Sequence, residues 1–223
     1  MPPNRKRFTH AALMGDVVGS EAATSPKQFH KLFNQVITEA NETSQSSIAS
    51  PLTITLGDEF QGLCPTLGQG AALMRRLRLK LLTKGINCRF ALGLVNIQTS
   101  VSENAAWNMI GPGLAAVRER LESKDKHTAY GFRLPSECAT AEMLEAIGAS
   151  LTEIERSWTD RQLELIAIAE LQDIDSESAA RKMRIAPRVY YKIRAAARLE
   201  LHQRLWNAVF SAMAPLDKKH LAR

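Results

Sequence analysis

Leu52-Thr53-Ile54-Thr55-Leu56-Gly57-Asp58-Glu59-Phe60-Gln61-Gly62 decides the fold. β-prone residues on both sides of a Gly-Asp pair describe two strands and a tight hairpin, with Asp58 at its tip. A second stretch, Gly15-Asp16-Val17-Val18-Gly19-Ser20, follows an apolar run over 8–14 and again sets an aspartate behind a glycine at the end of a strand. Two carboxylates carried to the ends of neighbouring strands supply the hard oxygen ligands that Mg²⁺ prefers, and the phosphates it carries complete the shell. Asp16 and Asp58 are therefore the expected metal pair. Gly15 and Gly57 let a ligand approach the backbone, Gly19 and Ser20 offer backbone N–H groups to a phosphate, and Glu59 is a third ligand or an orienting residue. Gly-Asp is also common turn chemistry, so the spacing by itself leaves a purely structural reading open.

Outward from these stretches the periodicity supplies helices and further strands. Ser25 as N-cap, Pro26 at the first helical position and Gln28 as the far half of a capping box open a helix with Phe29, Leu32, Phe33, Val36 and Ile37 on one stripe. Residues 41–50 read as a loop. A helix from Leu67 points Ala71, Met74, Leu77 and Leu81 inward and Arg75, Arg76, Arg78 and Lys80 outward, and Lys84-Gly85 ends it. Residues 88–95 are a clear strand, Gly111-Pro112-Gly113 a turn, 114–121 a short basic helix and 130–133 an edge strand, with helical pattern over 137–149. The order β-α-β-β-α-β, then a helix and an edge strand, predicts a ferredoxin-like or palm architecture: a mostly antiparallel sheet with helices on one face. Arg89, Arg118 and Arg120 are candidate phosphate partners, because guanidinium forks match phosphate oxygens, although a solvated helix face explains the last two equally well. His10, His30 and His127 stand alone and read as surface or packing residues.

The bulk numbers set the frame. A chain of 223 residues holds one large or two modest domains, and 45% hydrophobic residues is ordinary for a globular protein. A net charge of +6 and a pI near 9.4 suit an anionic partner. Cys64, Cys88 and Cys138 are odd in number, widely spaced and without a C-x-x-C, which argues against a disulfide framework or zinc site and for a reducing cytoplasm. Nothing approaches a membrane span, and the basic residues 4–7 precede no signal-peptide core, so no membrane association is expected. No residue set is assigned as catalytic.

At Ser157-Trp158-Thr159-Asp160 the character changes to all-helical. Two domains are expected, an α+β domain over 1–152 and an all-α helix-turn-helix over 158–223. Thr159 and Gln162 form a capping box, and helices follow over 160–171 and 176–183, with a long one from Pro187. Ala180, Met183, Ile185, Tyr190 and Ile193 take the buried positions. Arg184, Arg188, Tyr191, Lys192 and Arg198 form the DNA-binding set, on an outward face flanked by Arg181, Lys182 and Arg194. Between 181 and 204 there are eight Lys or Arg against one acid, Glu200, a local +7. Arg184 stands where such turns often carry glycine. A basic surface helix packing on the first domain, or on a second copy in a homodimer, is the alternative. The apolar 202–210 segment would cover the first domain or form that dimer seam.

The Met14-to-Ser20 block, the Thr53-to-Gly62 block, Arg89-Phe90-Ala91-Leu92-Gly93-Leu94, the Gly111-Pro112-Gly113 turn and Ser157-Trp158-Thr159 together resemble the SatD family over most of the chain. More remotely the arrangement is similar to the class III nucleotide cyclases and GGDEF-type cyclases, a resemblance that implies a cyclase-like fold with Asp16 and Asp58 holding metal. It departs where those enzymes read the base and steady the transition state. Ile54 stands at the lysine position, and Ala116 stands at the asparagine position paired with Arg120. The expectation is a cytoplasmic two-domain regulator that binds Mg²⁺ and a nucleotide or related phosphate ligand at one end and DNA at the other. The alternative is a metal-dependent nucleotidyl cyclase or nucleotidyltransferase, which would make the chain an enzyme.

Overall fold

The computed structural model describes residues 7–22, 25–123, 127–135, 139–172 and 174–221. Residues 4–6, Cys138 and the first part of the 137–149 segment lie outside the described residues. The N-terminal half is β1 (His10–Val17), α1 (Pro26–Thr43), β2 (Ser50–Ile54), β3 (Glu59–Cys64), α2 (Leu67–Leu82) and β4 (Cys88–Val95). Then come α3 (Leu114–Glu122), β5 (Tyr130–Arg133) and α4 (Thr140–Arg156). The strands form one sheet in the order β2-β3-β1-β4-β5. The class is α+β, as the element order predicts.

Three details differ from the sequence reading. β1 does not stop at Met14 but continues through Asp16 to Val17, because it is the central strand and pairs antiparallel with β3 on one side and β4 on the other. β5 runs parallel to β4, with Phe90 opposite Tyr130, so the sheet is mixed. Two parallel neighbours need a crossover between them, and α3 supplies it on the opposite face from α1 and α2. Both faces of the sheet are therefore covered, not one. Ser25 caps α1 without a side-chain hydrogen bond, so its capping box does not form, and α1 runs on to Thr43 into the expected loop.

Strand alternation sorts the two faces. Ala11, Leu13, Val17, Phe60, Phe90, Tyr130 and Phe132 meet α1, α2 and α4 in the main core. Ala12, Met14, Leu63, Ala91 and Val95 meet Val117 and Leu121 of α3 in a second, smaller one. The connection into α3 is tight. Gly113 has φ +101°, and a Cβ there would sit 2.6 Å from the carbonyl oxygen of Leu94. Gly113→Ala therefore combines left-handed strain with backbone overlap that no rotamer relieves. It should cost at least about 2 kcal/mol and lower the melting temperature by roughly 4 °C or more, read by differential scanning calorimetry.

The C-terminal helices are α5 (Asp160–Ala169), α6 (Ser176–Lys182), α7 (Pro187–Ala196) and α8 (Leu199–His220). The Thr159–Gln162 capping box forms as expected. Leu165, Ile166 and Ile168 of α5 are buried together with Ala179, Ala180, Met183 and Tyr190, while Leu163, Ala167 and Leu171 are only half-buried. The long helix expected from Pro187 breaks. Arg198 takes a left-handed conformation at φ +52°, and the Ala197 carbonyl accepts a hydrogen bond from Trp158 Nε1 at 2.8 Å. The break turns α8 back over the sheet, where Trp206, Val209, Met213 and Leu216 join the main core. Asp217 then caps α2, accepting from the N–H groups of Leu67 at 2.7 Å and Gly68 at 3.1 Å. No described helix is long and apolar enough to cross a membrane.

One charged group expected at the surface is not there. Arg78 is 1% exposed. Its Nε donates to Glu155 Oε2 at 2.8 Å, and its Nη1 donates to Asn87 Oδ1 and the Cys88 carbonyl. Tyr130 donates its hydroxyl to Glu155 Oε1 at 2.5 Å, and His202 Nε2 lies 3.1 Å from the same oxygen. This buried network ties α2, α4, β5 and α8 together.

Candidate functional site

Register places the first group of candidates in a row across three strands. Asp16 on β1 stands opposite Glu59 on β3 and Arg89 on β4. The alternation that sends Met14 toward α3 sends Asp16 the same way. Arg89 is ion-paired with Asp16 through Nη2 and Oδ2. Arg118 reaches down from α3 to Glu59 Oε2 at 3.4 Å and to Gln61 Oε1 at 3.0 Å.

Asp58 sits in the β2–β3 turn, where Gly57 takes φ +75°. The Asp58 carbonyl accepts from Val17 N–H at 3.1 Å, which seats the hairpin tip against the end of β1, next to Asp16. Ser20 donates its hydroxyl to Asp58 Oδ2 at 2.5 Å, with Gly19 at φ +74° just before it. The tip, the β1 end and the Gly19-Ser20 turn thus meet at one place.

Electrostatics report the same proximity. Burial pushes the Glu59 carboxyl above its ordinary value; Arg118 pulls it back, and the charges of Asp16, Asp58 and Glu122 push it further up. Four carboxylates act there against the two guanidiniums of Arg89 and Arg118, an excess of two negative charges that a divalent cation would relieve. Among the described residues, no three His, Cys, Asp or Glu side chains gather closely enough to hold a metal as they stand. The donor chemistry nonetheless fits Mg²⁺, which takes one or two carboxylates and fills its shell with water and phosphate. Each pairing engages one oxygen of each aspartate, Oδ2 in both. Asp16 and Asp58 would hold the ion.

Beside the row lies a cavity of about 420 Å³ lined by Met14, Thr55, Gln61, Trp107, Leu114 and Arg118, among others. Its outer wall is a segment pinned to β2 and β3: Ala106 N–H donates to Thr53 Oγ1 at 2.8 Å, and Gln61 Nε2 donates to the Ala106 carbonyl at 2.5 Å. Trp107, Leu56 and Ile110 are exposed around it. The spacing of the sequence carried no signal for this wall, because the pinning bonds come from residues some fifty positions away.

Arg120 does not join this site. Its Nε donates to Glu145 Oε1 at 2.9 Å and its Nη1 to Ser123, and it packs over Gly131 beside β5. Arg118, two residues earlier, faces the acids instead. The buried thiols stand apart as well. Burial pushes Cys64 up to about 12 and Cys88 higher still, so neither supplies a thiolate.

The second group of candidates lies on α7 and its flanking turns. Arg184, Arg188, Tyr191, Lys192 and Arg198 are all exposed, while Ala180, Met183 and Tyr190 beneath them are buried. The α6–α7 connection turns at Arg184, which adopts φ +54°, and Ile185 N–H donates to the Ala180 carbonyl at 3.1 Å.

The sequence profile of the SatD family matches residues 10–207, spanning the sheet, the three small helices and the first part of α8. The chain belongs to the SatD family. No curated protein matches this SatD-family chain. Among solved structures, it is similar to a bacterial light-regulated adenylyl cyclase at 14% identity, over 57% of this chain and 76% of that one, with a TM-score of 0.39. A monomeric guanylyl cyclase domain of the RhoGC fusion protein from the aquatic fungus Blastocladiella emersonii overlaps 52% of this chain and 76% of its own at 15% identity and a TM-score of 0.39. The adenylyl cyclase CyaB from P. aeruginosa gives 14% identity over 53% of this chain and 72% of that one, with a TM-score of 0.34. Likeness at this level is slight, and the SatD-family architecture stands on its own strand pairing.

Proposed function

We propose that this chain is a ligand-responsive DNA-binding regulator. Its 1–152 unit is palm-like and takes Mg²⁺ with a nucleotide or related phosphate ligand; its 158–223 unit carries a helix-turn-helix. The observation that carries the reading is the exposed set Arg184, Arg188, Tyr191, Lys192 and Arg198 on a small helical cluster whose other side is buried. A left-handed residue at Arg184 does the work of the glycine usual in such turns, letting α7 leave α6 at an angle. Basic side chains on one face neutralise phosphates, and the first residues of α7 reach base edges. Titration of labelled duplex DNA at several salt concentrations tests it; failure to bind at low salt would overturn it.

At the sheet end, support comes from the acid excess around Glu59 and from the neighbouring cavity. Mg²⁺ would supply charge neutralisation for the phosphates, with Asp16 and Asp58 holding the ion, Gly19 and Ser20 facing its ligand and Arg89 and Arg118 at the flanks. At a hundredfold excess over Kd, a bound Mg²⁺–nucleotide adds about 2.7 kcal/mol to stability. Asp58→Asn should abolish that gain in a thermal-shift titration while leaving DNA binding in place. If no nucleoside triphosphate with Mg²⁺ shifts the unmodified chain, the ligand half of the proposal fails. α8 is the connection between the halves, since it leaves α7 at Arg198 and packs its far end on α2 and the sheet. A homodimer would present two such basic faces, and the exposed Leu56, Trp107 and Ile110 offer one apolar surface for pairing.

A second reading, a nucleotidyl cyclase or transferase, draws on the same carboxylates. Two metals would clamp the attacking and leaving oxygens. Ile54 and Ala116 stand where the base-reading and transition-state groups belong, and Arg120 is engaged by Glu145. Pyrophosphate release from labelled triphosphates distinguishes the two readings.

A further inference from the structure

A second cavity, of about 390 Å³, lies away from the acid row, between the end of α1, α2, the end of α5 and α8. Arg75 and Arg76 of α2 line it. Arg76 makes no hydrogen bond or ion pair among the described residues, and the Nε atoms of both arginines are buried without a partner. Ser44, Ser46 and Ser47 bring hydroxyls to the same wall, and Leu73, Leu171 and Phe210 supply an apolar side. One carboxylate is present. Glu170 is ion-paired with Arg75 and also accepts from Gln203 Nε2 at 2.7 Å. Two guanidiniums against one carboxylate leave a single positive charge, and Arg76 carries it with its donors unspent.

We propose that this cavity binds an organic phosphomonoester whose apolar body lies against Phe210 and Leu171 and whose phosphate bonds Arg76 and the serine hydroxyls. Buried donors without partners are uncommon in folded chains, and a charged acceptor is what satisfies guanidinium donors most strongly. Phosphate suits the site better than carboxylate because it presents three acceptor oxygens to donors arriving from two elements, α2 and the Gln45–Ser47 turn after α1. Glu170 competes with the ligand for Arg75. It caps the end of α5, so occupancy of the cavity bears on how the C-terminal helices seat against α2.

Isothermal titration of the full chain with phenyl phosphate tests the site, with inorganic phosphate and benzoate as separate arms. Saturable binding of phenyl phosphate is expected, weaker for both other probes. Arg76→Gln should weaken it by roughly tenfold or more, as expected for a lost hydrogen bond between charged groups. Glu170→Gln should tighten it by removing the competitor. Asp58→Asn should leave it unchanged, which separates this cavity from the acid row. Among the described residues Arg76 makes no hydrogen bond or ion pair and feels Glu39 only as the weakest of the charges around that carboxylate, so its replacement should leave the chain folded. The proposal is overturned by absence of saturable binding, by binding that Arg76→Gln leaves intact, by benzoate binding as tightly as phenyl phosphate, which removes the phosphate, or by inorganic phosphate doing so, which removes the apolar subsite.

Discussion

Glu155→Ala lowers the melting temperature by roughly 6–20 °C, the largest single-residue effect expected in this chain. The reason is what remains behind. Glu155 accepts from Arg78, Tyr130 and His202, all buried, and removing it strands a guanidinium in the interior with neutral partners, Asn87, the Cys88 carbonyl and the Tyr130 hydroxyl, and no counter-charge. Taking one partner from a buried ion pair costs about 3–5 kcal/mol, whereas replacing both by apolar groups of similar size is often neutral. The double variant Arg78→Met with Glu155→Leu should therefore recover much of the loss, and calorimetry on the three proteins decides it. If Glu155→Ala melts within 2 °C of the unmodified chain on the same stability scale, the network is not what joins α2, α4 and α8.

The same group sets an acid limit. Burial would raise the Glu155 carboxyl; the Arg78 charge, with hydrogen bonds and charge from His202 and the Tyr130 bond, outweighs it and holds the carboxyl below its ordinary value. A depressed folded value means that the stabilisation is complete above the ordinary glutamate range and is lost as pH falls through the lower folded value. The advantage of the unmodified chain over Glu155→Gln should be full at neutral pH and shrink below about pH 4.

Arg188→Ala with Lys192→Ala is expected to weaken duplex DNA binding by at least roughly tenfold and to reduce the slope of log K against log salt by about 1.8, two phosphate contacts at ~0.9 each. Both side chains are exposed on α7, and neither bonds to another part of the chain among the described residues, so melting should not change. Circular dichroism melts of the double variant check that point. A salt slope equal to that of the unmodified chain would move the DNA face away from α7. A loss confined to one DNA sequence, with the slope kept, would make these residues base readers instead.

Much of the fold was readable from local pattern. The hairpin around Gly57-Asp58, the 88–95 strand and the Thr159–Gln162 capping box each depend on neighbours within a few positions, and the structure has all three, although Thr55 bonds Glu59 and the hairpin loop holds three residues where the Gly-Asp pair predicts two. Arg78 was misread as a surface residue although the pattern held a clue. It follows Ala71 and Met74 at the spacing of the inward stripe. Glu155 continues Leu144, Gly148 and Leu151 in the same way, and His202 precedes Trp206 and Val209. Three ionisable residues on three apolar stripes must find one another, because a buried charge without a partner is prohibitively costly. Residue type makes Arg118 and Arg120 equal candidates for the phosphate site, but helix geometry turns Arg118 toward Glu59 and Arg120 toward Glu145.

Strand alternation, helix stripes and turn chemistry act over two to seven residues, and the amino-acid order by itself determined those: the element order, the Gly57-Asp58 turn, the exposed basic face of α7. What only tertiary packing decided acts across the chain. The parallel pairing of β5, the cover of α3 over the second face, the break at Arg198 that folds α8 back and the pairing of Asp16 with Arg89 all join residues dozens of positions apart. Each follows from burying apolar area and satisfying charges together, and neither requirement can be met by a segment alone.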